Sequence, residues 1–80
     1  MTEKTIKVGT DLDARKAAFF VQTANKFQSK VELSVDGRKI NAKSIMGTIS
    51  LGVVSGQQAT IITDGADEAA AADELSKVLI

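Results

Sequence analysis

Polar and apolar residues alternate over Thr5-Ile6-Lys7-Val8, the period of a half-buried β-strand. After a loop from Gly9 to Asp13 the period changes. Between Arg15 and Phe27, the residues Ala17, Phe20, Val21, Ala24 and Phe27 recur at helical spacing, which predicts an amphipathic helix with one buried stripe. Asp13 stands where a carboxylate would cap the start of that helix. Val31-Glu32-Leu33-Ser34-Val35 then alternates strictly, Asp36-Gly37 is a hairpin-turn dipeptide, and Arg38–Ala42 returns as a short strand. Ser44 predicts the N-cap of a brief helix through Ile45, Met46, Ile49 and Leu51, with Gly52 and Gly56 in its exit loop. Gln58–Thr63 reads as a fourth strand closed by Asp64-Gly65. Asp67 is expected to cap a last helix whose Ala71, Leu75, Val78 and Leu79 face inward.

The order β-α-β-β-α-β-α predicts an α+β fold, an open-faced β-sandwich. A four-stranded, mainly antiparallel sheet carries three helices on one face and leaves the other face to water. Residues 1–80 read as a single domain, because a chain of this length buries only roughly 60–65% of its unfolded surface and supports one core. The three aromatics are all Phe (Phe19, Phe20 and Phe27), so that core is built from aliphatic residues.

Charge and composition narrow the function classes. Ten basic and ten acidic side chains cancel, which gives no electrostatic reason to expect nucleic acid or a membrane surface as partner. Without cysteine there is neither a disulfide nor a thiolate metal site. No apolar run reaches the roughly 18 residues of a membrane span, and the first residues lack the apolar core of a signal peptide. A cytoplasmic protein is expected.

The sequence contains no histidine, so imidazole chemistry is excluded. Gly47-Thr-Ile-Ser-Leu-Gly52 has the first spacing of a phosphate-binding P-loop, but Val53-Val54 replaces the lysine and hydroxyl that chemistry needs. Asp11-Leu12-Asp13 begins like a calcium loop and fails at Arg15. Asp67-Glu68 and Asp73-Glu74 are paired carboxylates on an expected solvated helix face. No acid–base pair, metal site or cofactor motif results, and an enzyme in its own right is not expected.

Two helix starts remain: Asp11-Leu12-Asp13-Ala14-Arg15-Lys16-Ala17 and Lys43-Ser44-Ile45-Met46-Gly47-Thr48-Ile49-Ser50-Leu51. With Asn41-Ala42 before the second, Phe20-Val21-Gln22-Thr23-Ala24-Asn25-Lys26-Phe27 and Asp64-Gly65-Ala66-Asp67-Glu68, they carry a resemblance over essentially the whole chain. The sequence resembles the HPr family, the small phosphocarriers of the bacterial phosphoenolpyruvate-dependent sugar phosphotransferase system. The second helix start looks like the regulatory-serine segment of HPr proteins from Gram-positive bacteria.

In that family the first site usually reads Gly, an aliphatic residue, His, Ala, Arg, Pro, Ala, and the histidine carries the phosphoryl group. Here Leu12, Ala14, Arg15 and Ala17 match, while Asp11, Asp13 and Lys16 replace glycine, histidine and proline. Asp13 is read first as a structural cap. Its alternative is an acyl-phosphate acceptor, which the second negative charge at Asp11 disfavours. Arg15, which the resemblance places near the phosphoryl group, is expected to pair with Asp11 or Asp13 or to face solvent. Whether these departures are natural or engineered, they point away from carrier function.

The second site is intact. Taken alone, Ser44 is a helix cap; the resemblance adds phosphorylation by the ATP-dependent HPr kinase/phosphorylase. Ile45 and Met46, at least one of them exposed, suggest a docking patch, with Lys43 beside them as a further docking candidate; Phe19, outside the helical stripe, either extends that patch or forms a partly buried flank of the core. The resemblance implies a regulatory module of catabolite repression, with a catabolite control repressor and phosphotransferase enzymes as partners. The alternatives are an Asp13 carrier or an inactive variant that keeps only the fold. No cofactor is implied.

Overall fold

One-sided burial organises the sheet, as the alternating pattern requires. A computed structural model describes residues 1–80. Its elements are β1 (Thr2–Lys7), α1 (Ala14–Asn25), β2 (Lys30–Val35), β3 (Arg38–Asn41), α2 (Ile45–Leu51), β4 (Gln58–Asp64) and α3 (Glu68–Leu79). The strands lie in the order β1-β4-β2-β3, and every neighbouring pair is antiparallel. Val31, Leu33 and Val35 of β2 and Ala59, Ile61 and Thr63 of β4 are buried, and their alternate neighbours on the other face are not. The three helices cover the inner face, and Phe20, Ala24, Leu51, Leu75 and Leu79 complete one aliphatic cluster against it.

Crossovers explain the strand order. β1 and β2 run parallel with β4 between them, so the chain must cross the sheet, and α1 makes that crossing. Between β2 and β3 a two-residue turn suffices: Asp36 (φ 52°) and Gly37 (φ 77°) are both left-handed, and Val35 pairs with Arg38. No helix is long and apolar enough to cross a membrane.

The first strand begins earlier than its alternation predicts, at Thr2, and Val8 lies beyond it, buried in the core. Phe27 falls past the end of α1 and is half-buried rather than part of its stripe. On α3, Ala71, Leu75 and Leu79 face inward as expected, together with Ala72 and Ser76, while Val78 is half-buried against the core.

Asp67 corrects the expected cap of α3. It occupies the N-cap position, but its backbone (φ −111°, ψ 27°) is not extended and its side chain bonds no amide of its own helix. The carboxylate instead accepts the backbone N–H groups of Gln28 and Ser29, each at 2.9 Å, and the Ser29 hydroxyl. The Ser29 hydroxyl holds its pKa below the ordinary carboxylate value, with the two amides adding to the effect. One acidic side chain thus ties the start of α3 to the turn between α1 and β2. Glu68 performs a similar service for the edge strand: it accepts Thr2 Oγ1 at 2.6 Å, the Met1 ammonium at 3.0 Å and Gly65 N at 3.3 Å. These donors, Thr2 first, lower its pKa from 4.5 to about 2. Lys4 reaches Asp73 at 3.2 Å on the same side.

Two predictions follow from these ties. A carboxylate whose folded pKa is depressed stabilises above its unfolded pKa and loses that contribution as pH falls through the folded value. Between about pH 5 and pH 2, thermal unfolding of Glu68→Gln should therefore respond less to acid than that of the wild type; equal slopes would contradict the role given to Glu68. Gly65 has φ 154°, and a Cβ there would lie 2.7 Å from Ser29 Cα and Oγ. Gly65→Ala should cost about 2 kcal/mol or more in denaturant unfolding.

Candidate functional site: two helix starts at opposite ends of an antiparallel pair

Asp13 adopts the extended conformation of an N-cap (φ −72°, ψ −179°), and its Oδ1 accepts Lys16 N at 2.9 Å. The expected cap is formed, which engages the carboxylate at the position where the family pattern has histidine. Asp11 is engaged as well: its Oδ1 accepts Ser55 N at 2.9 Å. Of the alternatives open for Arg15, the structure shows the solvated one, since it is exposed and forms no ion pair with Asp11 or Asp13. Lys16 turns its ammonium back to the Thr10 hydroxyl.

At the second start, Ser44 is extended (φ −101°, ψ 119°) and its Oγ accepts Gly47 N at 3.2 Å. A Cβ at Gly47 would meet Ser44 Oγ at 3.4 Å, ordinary van der Waals contact, so the corner does not depend on glycine. The helix ends at Gly52, whose left-handed φ of 64° suits glycine.

The exposed face of α2 is where the structure goes beyond the sequence. Of its seven residues only Thr48 and Leu51 are buried. Thr48 tolerates burial because its hydroxyl donates to Ser44 O at 2.8 Å. The other large apolar residues consequently point outward: Ile45 is 39% exposed, Met46 75% and Ile49 45%. Both members of the expected Ile45–Met46 pair are exposed, and Ile49, which the sequence reading placed in the helix without a role, joins them one turn on. The inward spacing of Thr48 and Leu51 was the signal that could have found it. Phe19, midway along α1, is 56% exposed.

Lys43 stands apart from the other docking candidates. Its Nζ donates to Phe27 O at 2.8 Å, and Asn25 Nδ2 approaches Lys43 O at 3.4 Å. These contacts fasten the start of α2 to the end of α1. At the far end, Leu12 N donates to Val53 O at 2.9 Å beside the Asp11–Ser55 bond. The two helices therefore run antiparallel, and the two helix starts lie at opposite ends of α1, about 18 Å apart for twelve residues.

Comparison with known proteins places this geometry. Residues 2–80 match the PTS-HPr family, described as PTS HPr component phosphorylation site. The chain is 51% identical over 77 residues to HPr-like protein Crh of Halalkalibacterium halodurans, covering 94% of this chain and 92% of that protein. Among solved structures, phosphocarrier protein HPr from Bacillus anthracis superposes with a TM-score of 0.94 at 40% identity, covering 99% of this chain and 96% of that one. The crystal structure of the Bacillus subtilis catabolite repression protein Crh, a swapped-domain dimer, matches at 50% identity and TM-score 0.79 over 92% of this chain and 83% of that one. A family match over nearly the whole length and half-identity to Crh settle the descent: the chain belongs to the HPr family.

Proposed function

We propose that this protein is a regulatory docking module switched by phosphorylation of Ser44. The observation that carries the reading is the second helix start itself: an intact serine cap bordered by exposed Ile45, Met46 and Ile49. HPr kinase/phosphorylase would transfer the γ-phosphoryl group of ATP to Ser44 Oγ, releasing ADP and the hydroxyl proton. The new dianion sits at the positive end of α2, which favours it there, and marks the aliphatic face for a partner. A catabolite control repressor is the partner that the likeness to Crh supports, and phosphotransferase enzymes are further contacts. In this reading the protein is substrate and ligand and carries no catalysis of its own.

Incubation with HPr kinase/phosphorylase and ATP should add one phosphoryl mass to the wild type and none to Ser44→Ala. Phosphate on the alanine variant, or none on either, would overturn the reading. The same substitution removes the Gly47 bond and should lower stability by about 1 kcal/mol.

The carrier reading would use Asp13 as acceptor. Its carboxylate is already bonded to Lys16 N, and the neighbouring Asp11 adds charge that repels a phosphoryl donor. Phosphoenolpyruvate and the upstream phosphotransferase enzyme should therefore leave the mass unchanged. A hydroxylamine-sensitive adduct lost in Asp13→Asn would establish the carrier instead.

A further inference from the structure

We propose that Met46 is a second, redox-controlled modification site on the docking surface. The inference rests on the proposed role of that surface and adds a control to it. The chain has no cysteine, histidine, tryptophan or tyrosine, so its two methionines, Met1 and Met46, are its readily oxidised side chains. Met1, 74% exposed, immediately precedes β1 and is tied to α3 through the ion pair of its ammonium with Glu68, away from α2. Met46 is 75% exposed on α2, two residues from Ser44, with Ile49 three residues on and so on the same side of the helix. Ile45 and Ile49 are inert to oxidants, which makes the Met46 sulfur the redox-responsive atom of the patch.

A hydroperoxide supplies the reaction. The thioether sulfur lone pair attacks the distal peroxide oxygen, an S–O bond forms as the O–O bond breaks, and the remainder leaves as water or an alcohol. The sulfur is oxidised by two electrons and the peroxide is reduced by two. The product replaces a flexible apolar tip with a strongly polar, chiral sulfoxide at the centre of a surface that docks by apolar contact. The Ser44 Oγ–Gly47 N cap does not involve the Met46 side chain, so the phosphate remains in place while the patch beside it turns polar. Phosphorylation would switch docking on, and oxidation would override it.

Trypsin reports the chemistry directly. Cleavage after Lys43 and Lys77 gives a peptide of residues 44–77 that carries both Ser44 and Met46, and cleavage after Lys4 isolates Met1. Ser44-phosphorylated protein is treated with hydrogen peroxide and titrated against a catabolite control repressor. Oxygen on the 44–77 peptide should accompany an affinity loss of about tenfold or more, the worth of a well-buried methionine tip. Methionine sulfoxide reductase should restore the affinity, and the melting temperature should not move. Met46→Leu, whatever its own affinity, should give the same value before and after peroxide. Equal binding by oxidised and reduced phosphoprotein overturns the redox site alone, as does equal peroxide sensitivity in Met46→Leu. Failure of the reduced phosphoprotein to bind overturns the docking surface and the redox site together.

Discussion

The antiparallel packing of α1 against α2 sets the position of everything that matters here for function. Two polar clasps hold the pair. At one end Lys43 and Asn25 tie the start of α2 to the end of α1, and at the other Leu12 and Asp11 tie the start of α1 to the loop after α2. This arrangement keeps the Asp13 and Ser44 starts a helix length apart, so neither side chain can act on the other. It also fixes the rotation of α2. With Thr48 and Leu51 turned to the core, the remaining aliphatic residues have nowhere to go but outward.

At the first helix start, the aspartate serves as a helix cap. A carboxylate at an N-cap satisfies a donor that the helix itself leaves unpaired, and Asp13 does so through Lys16 N. The loop around it is bonded in the same sense, with Asp11 holding Ser55 and Lys16 holding Thr10. Structural bonds engage the polar side chains of this helix start. The second start has its serine cap and an apolar border. Function in this chain is accordingly proposed at α2.

Much of this was legible in the sequence because local rules govern it. Strict alternation in Val31–Val35, the Asp36-Gly37 turn and the extended caps at Asp13 and Ser44 each follow from a few neighbouring residues. Contacts between distant segments were not legible. Nothing near Asp67 shows that its carboxylate will turn to the Gln28–Ser29 amides rather than cap α3. Likewise, Lys43 reads as a docking cation until its bond to Phe27 O places it in the helix clasp. The outward turn of Ile49 fails for a related reason. A short helix does not define its own inner face, and a buried threonine that bonds its own backbone defeats a reading by hydrophobicity.

The central claim is that Ser44, and not Asp13, controls what this protein binds. Calorimetric titration of a catabolite control repressor with the Ser44-phosphorylated and unmodified proteins tests it most directly. The account predicts saturable one-site binding for the phosphorylated protein and none for the unmodified one at the same concentration. Equal binding by the two forms would contradict it.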